Sequence, residues 1–172
     1  MTTLITGGAK CGKSRLAEEL LEGFGNKIYI ATMQPYGEEA HAAIERHRRI
    51  RAGKGFETIE KYTDIDETEL PRDCSILLEC MANLCANEMF RYDVINDPTE
   101  RIMRGIMHLQ NCSRELVIVT NNVGSDGIIY SPETEKYIEV MGRVNALTAD
   151  IADNVAECVY GVPVVLKGKL CC

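Results

Sequence analysis

The segment Gly7-Gly8-Ala9-Lys10-Cys11-Gly12-Lys13-Ser14 fits the spacing G-x-x-x-x-G-K-[ST] of a phosphate-binding loop, or P-loop. The chemistry of that pattern is capture of a polyphosphate. Glycines let the backbone curl until successive N–H groups face an anion, and the helix that follows adds the positive end of its dipole. Lys13 is expected to reach the β- and γ-phosphates and Ser14 to ligate Mg²⁺. Such a metal is commonly held from its other side by a carboxylate at the end of a buried strand. Glu79 closes Ile76-Leu77-Leu78 in that position. The bland alternative for Glu79 is a strand-end residue turned to solvent, and the loop by itself does not separate catalysis from nucleotide binding without turnover.

A second cluster is Ile44-Glu45-Arg46-His47-Arg48-Arg49-Ile50-Arg51, the densest positive stretch in the chain. On a helix, Ile44, His47, Arg48 and Arg51 share one face, which puts an imidazole beside two guanidiniums. An imidazole nitrogen attacks phosphorus well when neighbouring arginines neutralise the phosphates, and the resulting phosphoramidate passes its group on. Two readings stand for His47: carrier of a covalent nucleotidyl group, or incidental histidine on a solvated basic helix end. His41 and His108 attract no role.

The elements that must position these residues follow from apolar spacing. Leu4-Ile5-Thr6 reads as a short strand, and Ser14 to Glu22 repeats Leu16, Ala17, Leu20 and Leu21 at helical intervals before Gly23 and Gly25. Lys27 to Thr32 is a second strand, Glu38 to Arg51 a helix, and Gly53 and Gly55 mark a loop. The runs Ser75 to Cys80 and Leu116 to Thr120 read as buried central strands. Helices are expected over Pro98 to Cys112 and Pro132 to Asp153. Val155 to Leu166 then makes two strand-like pieces broken at Gly161-Val162-Pro163. Strands alternating with helices predict an α/β fold: a P-loop NTPase-like, mostly parallel sheet covered by helices, ending in antiparallel strands.

Composition sets the outer limits. The chain has 172 residues, 45% hydrophobic and 26% charged, which suits one domain over residues 1–172. A formal charge of −7 argues against nucleic acid and anionic membrane as partners, so an anion site must be a local basic exception. No apolar run approaches the roughly 20 residues of a membrane span and no signal-peptide pattern opens the chain, so a cytoplasmic location is expected. Six of the eight cysteines are scattered singly, without the spacing of a zinc site, and read as free thiols. Cys171-Cys172 reads as a frayed tail.

Several segments taken in order resemble one family, the bifunctional adenosylcobinamide kinase and adenosylcobinamide-phosphate guanylyltransferases of cobalamin biosynthesis. Thr6 to Ser14 is similar to that family's T-G-G-A-R-S-G-K-S, and Tyr29-Ile30-Ala31-Thr32 to its second strand. Ile44-x-x-His47 resembles R-I-x-x-H, and Thr58-Ile59-Glu60 resembles T-x-E. Leu77 to Cys80 with Asn87, Thr120 to Ile128, and Gly142-Arg143-Val144-Asn145 continue the likeness. The chain departs from the pattern at Ala43, at Asn122, and at Met81-Ala82-Asn83. The resemblance implies phosphorylation of adenosylcobinamide, then transfer of GMP from GTP through a guanylylated His47 to give adenosylcobinamide-GDP. It implies GTP and ATP as nucleotide substrates, a corrinoid as acceptor, and a homotrimer. Thr32, Met33, Gln34, Arg48, Arg51 and Glu60 would lie near the guanine nucleotide; a carboxylate such as Glu60 suits the N1–H and 2-amino edge of guanine, which adenine cannot match. A single-activity guanylyltransferase, a plain small-molecule kinase, and a nucleotide-switched binding module are the competing readings.

Overall fold

Alternation along each strand sorts the apolar side chains onto two faces of one sheet. In the computed structural model, which describes residues 1–35, 49, 53–92, 95–124 and 126–170, the strands are β1 (Thr2–Thr6), β2 (Lys27–Ala31), β3 (Phe56–Glu60), β4 (Cys74–Glu79), β5 (Ser113–Val119), β6 (Asn154–Val159) and β7 (Val162–Lys167). The helices are α1 (Lys13–Leu20), α2 (Met81–Met89), α3 (Thr99–Cys112) and α4 (Pro132–Ile151). The sheet order is β3-β2-β4-β5-β1-β6-β7. All pairings are parallel except β6 with β7, as the alternating pattern predicts.

Leu4, Ile28, Ile30, Ile76, Leu78, Leu116 and Ile118 face α2, α3 and α4. Their neighbours one residue along, Ile5, Tyr29, Leu77, Val117 and Val119, face α1 through Leu16, Ala17 and Leu21. The central strands are apolar on both faces because both are covered. Cys11, Cys74, Cys80, Cys85, Cys112 and Cys158 are free thiols, as expected. Burial pushes the Cys80 thiol up and the Cys85 thiol up to about 12, so both stay protonated.

Three elements differ from the sequence reading. Strand β3 begins just past the Gly53–Gly55 loop, in a stretch to which apolar spacing assigns no element; it is an edge strand in which Phe56 alone is buried, too weak an apolar signal to register. Helix α2 follows Glu79 with only Cys80 between them and buries Met81, Ala82, Leu84, Cys85, Glu88 and Met89, so it lacks the polar stripe that marks a surface helix. Val162-Pro163 begins β7 rather than breaking the pair. The turn is Tyr160-Gly161, both left-handed, as a two-residue hairpin requires, and β7 is an edge strand that accommodates a proline. The helix expected over 38–51 lies outside the described residues except for Arg49, which is helical.

Helix α3 meets the 3-10 turn Ile65–Glu67 at Gly105, where a Cβ would come within 2.2 Å of Ile65 Cγ1. A glycine-to-alanine change inside a helix ordinarily stabilises by about 1 kcal/mol, but here the added methyl overpacks a buried contact, at about 1–3 kcal/mol. Gly105→Ala should therefore lower the unfolding free energy in urea titration. In an Ile65→Ala background, which removes the blocking atoms, the same change should become neutral or stabilising.

Candidate active site

The P-loop leaves β1 and opens α1, at the end of the sheet where parallel strands present their carboxyl termini and where such sheets bind ligands. Its path depends on two glycines held at positive φ, Gly7 at 144° and Gly12 at 104°. A Cβ on Gly7 would lie 2.6 Å from the Cys158 carbonyl oxygen and 2.9 Å from Cys11 Sγ; one on Gly12 would lie 3.1 Å from Gly161 Cα. The β6–β7 hairpin therefore packs directly against the loop. Gly161 N–H donates to the Cys11 carbonyl at 2.7 Å, and the Cys158 thiol donates to the same oxygen at 3.3 Å. Burial, and next the Cys11 thiol beside it, raise the Cys158 pKa and keep it a donor.

Lys13 is buried, and its ammonium donates to the carbonyls of Gly7 at 3.0 Å and Gly8 at 2.5 Å. It is thus aimed across the mouth of the loop whose lining also includes Lys10, Cys11, Gly12 and Ser14. The Ser14 hydroxyl donates to one oxygen of Glu79, and the Tyr29 phenol donates to the other at 2.8 Å. Ser14 and Glu79 thus offer adjacent oxygen donors below the lysine. That set fits Mg²⁺, which takes oxygen ligands and needs only one or two from protein alongside phosphates and water. Among the described residues no larger cluster of His, Cys, Asp or Glu could hold a metal.

Beyond Glu79 the same edge continues through β2 and β3. Thr32 is fully buried; its hydroxyl donates to the Cys80 carbonyl at 2.8 Å and accepts from Cys80 N–H at 2.7 Å, so its side chain is a brace between β2 and β4. Met33 is exposed, and Gln34 lines a cavity of about 420 Å³ with Thr63, Ala86, Asn87, Phe90 and Arg91. Glu60 ends β3 and accepts from the Tyr62 hydroxyl at 2.9 Å. Glu60 is four strands from β1, on the order of 19 Å at the usual spacing, so a ligand touching both must lie extended along the edge. Ala9 lies within the P-loop turn. His47, Arg48 and Arg51 lie outside the described residues.

Of the positions where the chain departs from the family pattern, Asn122 is exposed and its backbone N–H donates to the Gly7 carbonyl at 3.2 Å, beside the P-loop. Met81 and Ala82 are buried in α2, where the Tyr137 hydroxyl donates to the Ala82 carbonyl at 3.0 Å. The sequence assigns no role to Tyr29, Asn87, Cys158 or Gly161, although Asn87 belongs to the family likeness that follows Glu79. Tyr29 stands inside a quoted strand motif, and Gly161 is a turn glycine, but their contacts are with residues distant in sequence.

A family model described as CobU, cobinamide kinase / cobinamide phosphate guanyltransferase, matches residues 3–166. The bifunctional adenosylcobalamin biosynthesis protein CobU of Escherichia coli (strain K12) is 34% identical over 182 residues, covering 97% of this chain and 100% of the relative. CobU of Salmonella typhimurium is 33% identical with the same coverage. The bifunctional protein CobP of Pseudomonas aeruginosa is 29% identical over 177 residues, covering 98% of this chain and 99% of the relative.

An ion-pair cluster stands behind the cavity. Arg91 pairs with Asp64 at 2.7 Å, Arg101 with Glu88 at 2.9 Å, and Asp64 N–H donates to Glu88 at 2.6 Å. The Arg91 hydrogen bond holds the Asp64 carboxyl below its ordinary value despite partial burial. A depressed carboxylate contributes stability that is fully present above its unfolded pKa, about 4, and is lost as pH falls through the lower folded value. The stability gap between wild type and Asp64→Asn should therefore be widest near neutrality and shrink below pH of about 4, as measured by urea unfolding across that range.

Proposed function

We infer that this chain, which belongs to the cobinamide kinase / cobinamide phosphate guanyltransferase family, phosphorylates adenosylcobinamide and then converts the product to adenosylcobinamide-GDP. The observation that carries this reading is the arrangement under the P-loop: a buried Lys13 across its mouth, with Ser14 and Glu79 side by side below. In the first step the hydroxyl of the aminopropanol arm attacks the γ-phosphorus of ATP or GTP. The bond from the γ-phosphorus to the β,γ-bridging oxygen breaks, the nucleoside diphosphate leaves, and the hydroxyl proton passes to water. Lys13 and the loop N–H groups bind the charge that gathers on the phosphate oxygens. Mg²⁺, held by Ser14 and Glu79, supplies further neutralisation of the phosphates when bound.

In the second step an imidazole nitrogen of His47 attacks the α-phosphorus of GTP and pyrophosphate leaves. The phosphate oxygen of the cobinamide phosphate then attacks the same phosphorus, the P–N bond breaks, and His47 is regenerated. Arg48 and Arg51, which helical spacing would bring to the same face as His47, would neutralise the phosphates. Met33, Gln34 and Glu60 would hold the guanosine end, with the Glu60 carboxylate accepting from the guanine edge. We place the enzyme in the cytoplasm as a homotrimer of one-domain chains, acting on a corrinoid and not on nucleic acid.

The test is incubation with Mg²⁺ and GTP labelled on the α-phosphate, followed by denaturing electrophoresis with acid and alkali treatment. Wild type should retain acid-labile, alkali-stable label. His47→Ala should lose it and keep most of its cobinamide phosphorylation, whereas Lys13→Ala should lose at least about a hundredfold in both steps. Equal loss of both steps in His47→Ala would sink the division of labour.

A further inference from the structure

We propose that Asn87 is the positioning residue that sets the spacing between the two segments holding the guanosine end of the nucleotide. The proposal rests on the reading of Met33, Gln34 and Glu60 given above, and goes beyond it by naming what keeps those residues in place.

A neutral side-chain amide has two N–H donors and one carbonyl acceptor. At Asn87 both donors are used on main chain: Nδ2 donates to the Thr32 carbonyl at 2.8 Å and to the Tyr62 carbonyl at 3.0 Å. Two carbonyl acceptors can be met only by the nitrogen, so the network assigns the amide's orientation. The acceptors lie just past the ends of neighbouring strands. The main-chain contact between β2 and β3 continues to the bond from Lys61 N–H to the Ala31 carbonyl, at 3.0 Å. Immediately beyond it the two chains run on, one into Met33 and Gln34, the other through Tyr62, whose hydroxyl holds Glu60. Asn87 bridges them there, and it lines the cavity that Gln34 lines from one segment and Thr63 from the other.

The bridge is anchored. Leu84, Cys85 and Met89 of α2 are fully buried in the main core, so the Asn87 backbone cannot follow a displaced strand end. Aspartate in its place would have the same shape but would turn lone pairs toward two carbonyl oxygens. The segments would then separate, while the P-loop, which Asn87 does not touch, would keep its form.

The experiment compares binding of GTP, supplied as its α,β-methylene analogue so that no GMP passes to His47, and of inorganic triphosphate, each with Mg²⁺, to wild type and Asn87→Asp by calorimetric titration. Triphosphate reports the P-loop alone; the ratio of the two affinities reports the guanosine end. Wild type should bind GTP more tightly than triphosphate. Asn87→Asp should lose about tenfold in GTP affinity, the scale of one lost hydrogen-bonding arrangement, and keep triphosphate affinity within about twofold. Asn87→Ser, a smaller neutral change, should shift the ratio in the same direction by a few-fold and serves if the aspartate variant does not fold. A variant that keeps the wild-type ratio overturns the proposal, as does equal loss of both affinities, which would make Asn87 a general stabiliser. Equal binding of both ligands by wild type would remove the guanosine site itself, and the proposal with it.

Discussion

The carboxylate of Glu79 ties together the strand ends on which the site is built. One oxygen accepts from Ser14, at the start of α1 after β1; the other accepts from Tyr29, on β2. Its own main-chain carbonyl accepts Thr32 N–H at 3.1 Å. A phosphate-binding loop and a neighbouring strand are thus referred to a single residue at the end of a central strand. Each bond is worth only about 1–3 kcal/mol net, the two to the carboxylate more than the main-chain one. Their effect is geometric: the Glu79 oxygen beside Ser14 is held in one place, so that on the proposed reading a bound Mg²⁺ would meet a ligand already oriented.

The P-loop is fixed by crowding as much as by hydrogen bonds. The Cys158 carbonyl stands where a Cβ of residue 7 would go, and Gly161 where one of residue 12 would press. The hairpin that brings them there exists because Tyr160 and Gly161 both adopt left-handed conformations. A turn 150 residues downstream, held by the 2.7 Å bond from Gly161 to Cys11, therefore helps to shape the P-loop. The β6–β7 hairpin thus belongs with the P-loop end of the sheet although it carries no residue proposed to do chemistry.

What the sequence revealed, and what it hid, follows from the same physics. The P-loop was legible because its glycines, lysine and serine are contiguous. The central strands were legible because burial on both faces makes them uninterrupted apolar runs. Glu79 could be singled out since it is a charge ending such a run. Tyr29 and Asn87 stand in segments of the family likeness and Gly161 at a turn, but none could be given a role: each matters through a bond to a residue distant in the chain, and no local spacing encodes that. Helix α2 escaped for the opposite reason, being so enclosed that its apolar residues show no stripe. Strand β3 escaped because an edge strand buries little; Phe56 is its one fully buried residue.

The two ends of the site are made differently, with consequences for how each tolerates change. At the P-loop end, the Cys158 carbonyl crowds Gly7 at a distance that admits no Cβ, and Gly161 lies tight against Gly12, so the loop's shape is set by backbone; on the proposed reading that shape is matched to phosphate, with Lys13 and Ser14 added to it. At the other end the surface is built from side chains. Thr32 braces β2 against β4, Asn87 bridges the ends of β2 and β3, and Tyr62 holds Glu60. Backbone cradles serve any nucleoside triphosphate equally, because every triphosphate tail is the same. On the proposed reading, discrimination between bases would then come from the side-chain end, where exchanging one amide or carboxylate alters which donors and acceptors a base meets. A single extended ligand lying from β1 toward β3 would use both: the rigid end to bind tightly, and the adjustable end to be the right nucleotide.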